Sequence, residues 1–278
     1  MEQINIMING LPGNVAKIMA RFGISDDRFN VIPFSLTGQD IAEKYCTIND
    51  LSFELVKPDV RNDTILAIKN RYTSFISIDY THPSAVNSNA IFYTQNQLPF
   101  VMGTTGGDRH ALEQVVNQAL TPAVIAPNMA KQIVGFQAMM AYGAQTFPGL
   151  FKGYRLSVKE SHQNGKADTS GTARAMVQYF NDMGIDFDVD QIQMERDPIV
   201  QENEWKIPKA YLTGHGWHTY TLTAPDDSAM FEFKHNINGR DIYAAGTFDA
   251  VVFLNDKLSD TTTAKKLYTM IDVLNKDV

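Results

Sequence analysis

The stretch "INIMINGLPGNVAKIMARFG", residues 4–23, decides the fold. Its first five residues form a short apolar run, and a turn rich in glycine and proline follows. Behind the turn, Val15, Ile18, Met19 and Phe22 fall at i, i+3, i+4 and i+7, and Gly23 closes the pattern. A buried strand, a tight turn and an amphipathic helix, in that order, open a βαβ unit. The turn sets Gly10, Gly13 and Ala16 in a G-x-x-G-x-x-A spacing. Small residues at that spacing let the backbone approach a pyrophosphate, which then rests on the first N–H groups of the helix.

The pattern continues outward. "FNVIPF" reads as a second strand, "SFISIDY" as a third and "PFVMGTTG" as a fourth, with "SAVNSNAIFYTQ" a helix between the last two. Leu112, Val115, Val116 and Ala119 make another helical stripe before the strand "PAVIAPN". Strands alternating with helical stripes predict a Rossmann-type, doubly wound parallel sheet over residues 1–129. Strand C-termini in such a sheet face the ligand crevice, so "GTTGG" (103–107) and "APNMA" (126–130) are placed to touch a cofactor. An ordinary hydroxyl-capped turn has the same composition, which leaves both readings open. The second strand ends without a carboxylate for a ribose 2′-OH, which favours NADPH over NADH, with Ser35 and Thr37 as candidate donors to the 2′-phosphate.

Beyond residue 129 the periodicity changes. "MAKQIVGFQAMMAYGAQTF" reads as a long helix. In "YRLSVKES", Tyr154, Leu156 and Val158 alternate with Arg155, Ser157 and Lys159, as in a strand buried on one side. "HTYTLTAP" and "AMFEFKHNI" alternate likewise, with Phe231, Phe233 and His235 on one side. These strands predict an α+β domain over residues 130–245 with an open, mostly antiparallel sheet. Ala264, Leu267, Tyr268, Ile271 and Leu274 predict a last amphipathic helix that packs back on the first domain.

One segment of the second domain carries an unusual mixture: "ESHQNGKADTSGTARA", residues 160–175. Ala173, Met176, Val177 and Phe180 give a helix that starts near Ser170, so the N–H groups around Ser170, Gly171 and Thr172 form an anion site. His162 ends the strand upstream and Lys166 follows in a glycine-containing loop. An imidazole, an ammonium and a helix N-terminus together suit a small carboxylate undergoing proton transfer. A capped helix behind a solvated loop is the plainer alternative.

Composition narrows the classes. The 278 residues carry a net charge of −7, which argues against a nucleic-acid partner. A single cysteine, Cys46, excludes an internal disulfide and fits a reducing compartment. No apolar run is long enough to span a membrane. Neither HExxH nor paired CxxC accompanies His215, His218 and His235, so no metal is expected.

The motifs together resemble the 4-hydroxy-tetrahydrodipicolinate reductase (dihydrodipicolinate reductase) family of the diaminopimelate route to lysine. The resemblance runs through "NGLPGNVA", "IDYTHP", "PFVMGTTGGDR", "APNMAKQ", "ESHQNGKADTSGTA", "DQIQMERDP", "GHGWHTYTLTAPD" and "FEFKHNINGRDIYAAGT", and is greater to the plant-type branch. It implies an NAD(P)H-dependent oxidoreductase in which His162 is the proton donor and acceptor and Lys166 a proton-donating lysine. Gly171 and Thr172 match the pair that binds a substrate carboxylate. Gln163 stands where many bacterial members have a second histidine, and can hydrogen-bond a carboxylate without charge. Gly10, Leu11, Pro12, Gly13, Asn14, Val15, Gly103, Thr104, Thr105, Ala126, Pro127, Asn128 and Met129 match the cofactor-binding segments. The resemblance further implies that residues 246–278 return to the Rossmann domain and that the open sheet builds a homo-oligomer, a dimer or a tetramer. With no plastid transit segment in view, a cytoplasmic location is expected. Two rivals use the same features: another two-domain dehydrogenase of a small amino or imino acid, and a non-catalytic NADP-binding sensor with no use for His162 and Lys166.

Overall fold

The computed structural model describes residues 3–260 and 266–276. Strand β1 (Ile4–Asn9) leads through the Gly10–Gly13 turn into helix α1 (Asn14–Ser25). Ile6, Met7, Ile8 and Asn9 are wholly buried, as expected of a central strand covered on both faces. The buried face of α1 is Ala16, Met19, Ala20 and Gly23, whereas Phe22 is 38% exposed. The predicted stripe is thus rotated by about one residue. The reason is space: a Cβ on Gly23 would already lie 3.2 Å from the Ile6 and Val31 side chains, so the sheet leaves room for glycine at that position.

"FNVIPF" is two strands, not one. β2 (Phe29–Val31) pairs with β1, and β3 (Phe34–Leu36) joins a separate three-stranded sheet with β4 (Tyr45–Ile48) and β5 (Leu51–Val56). Pro33 lacks the N–H needed to continue the ladder, so the chain changes sheets there. Next come α2 (Arg61–Arg71), β6 (Ile76–Asp79), α3 (Val86–Gln95), β7 (Phe100–Met102), α4 (Arg109–Asn117) and β8 (Ala123–Ile125).

The next elements are α5 (Lys131–Thr146), β9 (Arg155–His162), α6 (Gly171–Asp182), β10 (Gln193–Glu195), α7 (Pro198–Asn203), β11 (His215–Thr223) and β12 (Met230–Asn238). They build a mixed sheet in the order β10-β9-β11-β12, antiparallel except for β10 against β9. Ala173, Met176, Val177 and Phe180 of α6 and Met140 and Ala144 of α5 pack on Val158, Tyr220 and Leu222 of the sheet.

The chain ends with α8 (Asp241–Ser259), β13 (Leu267–Tyr268) and α9 (Met270–Leu274). The single helix predicted over 264–274 is therefore a strand and a short helix. Tyr268 is buried in parallel pairing with Val124, and Ala264 lies outside the described residues. β13 completes a six-stranded parallel sheet, β13-β8-β7-β6-β1-β2. Strand order reverses direction at β1, the switch point at which such sheets bind ligands. By contacts, residues 1–131 and 241–278 form one compact unit and 132–240 the other.

Candidate active site

In the first unit the glycine turn is built for close approach. Gly10 has φ +109°, and a Cβ there would fall 2.2 Å from the Tyr80 carbonyl oxygen. A Cβ on Gly13 would lie 2.8 Å from the Gly10 oxygen. Gly13 is also the residue before α1, so no side chain caps the helix's first N–H groups. This cradle fits a pyrophosphate. The Leu11–Pro12 peptide is cis, Leu11 is buried, and Asn14 and Val15 begin the helix. The hydroxyls of Ser35 and Thr37 serve the turn rather than standing free. Ser35 Oγ accepts from the Leu11 amide at 3.2 Å and is wholly buried, and Thr37 Oγ1 donates to the Leu11 carbonyl at 2.7 Å. The expectation of Ser35 as a 2′-phosphate donor is thereby corrected: its burial beneath Leu11 removes it from any ligand.

The other predicted cofactor segments end β7 and β8. Gly103 is pinned by Tyr80, whose ring carbon would lie 2.4 Å from an added Cβ. Thr104 turns its hydroxyl inward to Asp79 Oδ1 at 2.6 Å. Asp79 is fully buried and also accepts from Tyr93 at 2.7 Å, from Asn89 at 3.0 Å and from the Thr81 hydroxyl at 2.9 Å. Thr104 can thus offer a ligand its backbone but not its hydroxyl, whereas the neighbouring Thr105 is exposed. After β8, Ala126 and Met129 are buried, Pro127 is exposed, and Asn128 accepts from the Ala130 amide at 2.9 Å.

In the second unit the alternation of β9 holds from Arg155 to Lys159 and then breaks, for Glu160 and Ser161 are both wholly buried. The break marks the site. His218 of β11 sits directly across from Glu160, and Gly216 directly across from His162. Glu160 Oε1 accepts from Arg196 Nη2 at 2.5 Å, and Oε2 accepts from the Ser170 amide at 3.1 Å. Oε2 also faces His218 Nε2 at 3.6 Å and His162 Nε2 at 3.9 Å. Ser170 caps α6 by accepting from the Ala173 amide, and its Oγ lies 2.8 Å from His218 Nε2.

These bonds fix proton positions. His162 Nδ1 lies 3.1 Å from the His215 carbonyl, which can only accept, so Nδ1 carries the proton and Nε2 the lone pair. That lone pair meets His218 Nε2 at 3.3 Å. Two bare imidazole nitrogens at that distance would repel, so one N–H lies between them. His218 Nε2–H is then surrounded by three acceptors, in His162, Ser170 and Glu160, and His218 Nδ1, which has no partner among the described residues, is left bare. His215 is fixed in the same manner: its Nδ1 donates to the Tyr211 carbonyl and its Nε2 accepts from Ser161.

Burial would raise the Glu160 carboxyl, but His218, Arg196 and the Ser170 amide outweigh it and hold its pKa at about 2. Burial, and then the neighbouring His218, push His162 down to about 4, with Glu160 opposing. Burial likewise lowers His235, stacked 4.5 Å from His218, to about 3.

Glu160 Oε2, His162 Nε2 and His218 Nε2 converge as metal ligands do, within 4.8 Å of one another. The chemistry does not fit a metal. Arg196 already neutralises the carboxylate, and among the described residues His218 Nδ1 has no outer partner of the kind that orients a ligating imidazole.

Lys166 lies in the loop between β9 and α6, its Nζ 2.7 Å from Asp168 Oδ1. Gln163 is half-buried, and its carbonyl accepts from the Lys166 amide at 3.0 Å. Gly171 is exposed at the first turn of α6 and Thr172 is half-buried beside it. The second unit thus gathers His162, Lys166 and the start of α6 round one carboxylate. Glu160, Arg196 and His218 were absent from the sequence-based candidates. Glu160 and His218 carry a signal, as polar residues on strand positions in phase with buried Val158 and Tyr220, whereas Arg196 follows β10 and carries none.

Comparison with known proteins gives the family of the chain. Residues 4–129 match the family model "Dihydrodipicolinate reductase, N-terminus" and residues 133–274 the model "Dihydrodipicolinate reductase, C-terminus". The chain is 42% identical to 4-hydroxy-tetrahydrodipicolinate reductase 1, chloroplastic, of Arabidopsis thaliana, over 98% of this chain and 78% of that protein. It is 39% identical to the probable reductase 2, chloroplastic, of Oryza sativa subsp. japonica, over 98% and 83% respectively. Among solved structures, the dipicolinate-bound dihydrodipicolinate reductase of Paenisporosarcina sp. TG-14 shares the fold, with a TM-score of 0.67 at 18% identity over 96% of this chain and 98% of that one.

Proposed function

Because this chain belongs to the dihydrodipicolinate reductase family, we propose a division of labour for its residues in that family's reaction. The protein is an oxidoreductase. It reduces 4-hydroxy-tetrahydrodipicolinate to tetrahydrodipicolinate with a reduced nicotinamide cofactor, in the diaminopimelate route to lysine. Water leaves the hydroxyl-bearing carbon, and the conjugated imine that results takes up one hydride and one proton. The cofactor supplies the hydride and leaves oxidised.

The chain's own residues do the rest. The Gly10–Gly13 cradle and the first N–H groups of α1 hold the pyrophosphate, and the backbone of Gly103–Thr105 and Ala126–Met129 completes the cofactor segments. On the second unit, the Gly171 and Thr172 amides and Lys166 bind substrate carboxylates and stabilise charge that develops on the ring. Gln163 donates an uncharged hydrogen bond to the same group. His162 relays the proton that accompanies reduction, at Nε2, and the N–H of His218 faces that atom. The observation that carries this reading is the convergence of His162, the Lys166 loop and the α6 N-terminus on buried Glu160.

The absence of a carboxylate in "SLTG", residues 35–38 at the end of β3, supports NADPH as the preferred cofactor, since an acidic residue there repels a 2′-phosphate. Met230 and Phe231, 67% and 46% exposed on β12 at the rim of the mixed sheet, support a homo-oligomer formed through that sheet. A single thiol supports a reducing compartment, which we take to be the cytoplasm. The two compact units support the roles expected of residues 1–129 with 246–278 for cofactor and 130–245 for substrate. An assay coupled to the synthase that makes the substrate, run with NADPH and with NADH, tests reaction and selectivity together. Oxidation of neither cofactor would overturn the reading.

A further inference from the structure

Four pieces of the substrate unit hang on one side chain. Through the Ser170 amide, Glu160 fixes the start of α6, and with it Gly171 and Thr172. Through Arg196, whose Nε donates to the Lys166 carbonyl at 2.8 Å and whose Nη2 reaches the Asp168 carbonyl at 3.4 Å, it fixes the loop that carries Lys166. Through His218 and directly, it faces His162. No stability argument requires this. A buried ion pair repays its desolvation poorly, and apolar residues of similar volume commonly serve a fold as well. What an apolar residue cannot supply is one acceptor for an amide, a guanidinium and an imidazole at once.

We propose that Glu160, anchored by Arg196, is the common positioning residue of the reaction: it sets the helix terminus and the lysine loop and holds the proton on the His162–His218 pair. The inference rests on the roles given above to His162 and Lys166. The groups facing the His162 ring are His218 and the His215 carbonyl from β11, Glu160 from β9, Arg196 after β10, and Lys166 from the loop. Of these, His218, Arg196 and Lys166 oppose a proton on the ring, and Glu160 favours it.

The test is an NMR titration of the His162 ring in wild type, E160Q and E160D, beside steady-state kinetics. Loss of the facing carboxylate in E160Q is expected to move the His162 titration down by about one pH unit and to lower kcat/KM by about 10²-fold, the loss typical of a misplaced acid or base. E160D is expected to restore part of both. An unmoved titration in a folded E160Q protein overturns the proposal. Should E160Q not fold, E160Q/R196Q removes both charges together, and a smaller move in the same direction is expected. The wild type supplies a reading that needs no variant: ¹⁵N shifts should place the His162 proton on Nδ1, and a proton fixed on Nε2 would also overturn it. The titration does not depend on turnover. Full activity in H162A would therefore remove the catalytic reading while leaving the positioning result to stand or fall alone.

Discussion

Gly216 lies directly across the β9–β11 ladder from His162, and a Cβ added to it would sit 3.0 Å from His162 Cε1. The ring cannot give way freely, because Nδ1 is tied to the His215 carbonyl and Nε2 meets His218. G216A is therefore expected to lower kcat by about tenfold through a displaced proton relay while the protein stays folded, and H162A to lower it by about 10² to 10⁴-fold. Steady-state kinetics with a thermal melt checks both. A G216A protein with unchanged kcat would mean that the ring's place is immaterial.

Lys166 is held by Asp168, whose side chain is 72% exposed. An ion pair this exposed adds little stability, yet it occupies the ammonium that a substrate carboxylate would use. D168N is expected to melt within about 1 °C of wild type, as surface changes do, and to bind a cyclic dicarboxylate such as dipicolinate several-fold more tightly. K166M is expected to weaken the same binding. Calorimetric titration of the three proteins decides it, and weaker binding by D168N would show that Asp168 presents the lysine instead of competing for it.

The parts of this molecule that were legible in the sequence are those where one physical demand acts alone. The strand, glycine turn and helix at 4–23 answer only to burial and close approach, and α6 keeps its predicted face and its Ser170 cap because nothing competes with them. Reading failed where two demands met. At Ile32–Pro33 apolar continuity argued for one strand, and the missing proline N–H divided it between two sheets. Near the C-terminus a helical stripe concealed Tyr268, which the sheet claims as a strand residue. The β4–β5 hairpin has a weak sequence signal because its turn, Asn49 (φ +51°) and Asp50, lacks the glycine that marks most such turns. In the candidate site, His162, Lys166 and the helix terminus stand together in one short segment of the sequence. Arg196 and His218 come from 34 and 56 residues beyond His162, as their numbering gives, and only the β9–β11 register brings His218 opposite Glu160.

Gly10 and Gly103 are both places where a Cβ has no room, but the obstacles differ. At Gly10 it is the Tyr80 carbonyl, fixed backbone, compounded by φ +109°, whereas at Gly103 it is the Tyr80 ring. G10A is expected to cost about 2 kcal/mol or more and to abolish cofactor binding. G103A is expected to be as damaging alone and to be partly rescued by Y80A, which removes the ring at the cost of its 2.6 Å hydrogen bond to Thr247. G10A/Y80A should show no rescue, since the carbonyl remains. Urea unfolding of the five variants, Y80A alone included, measures the coupling, and equal rescue at both sites would refute the distinction.

Acid should weaken the fold in two stages. His162 and His235 are held at about 4 and about 3 in the folded protein by burial and then by His218. Below their ordinary value of 6.5 the unfolded chain therefore takes up protons that the folded chain refuses. Their share of the stability is complete above pH 6.5 and falls as pH drops toward 4 and 3, at most by about 2 kcal/mol per histidine between pH 7 and 5. Glu160, held at about 2, acts later: its share is present above its ordinary 4.5 and is lost as pH falls toward 2. H235F keeps a ring against His218 and Phe136 but cannot titrate. Urea midpoints at pH 7 and pH 5 should then fall less in H235F than in wild type, while the decline below pH 4.5 stays common to both. Parallel curves over the upper window would mean that His235 is protonated in the folded protein, and that the ring cluster behind His162 already carries charge near neutral pH.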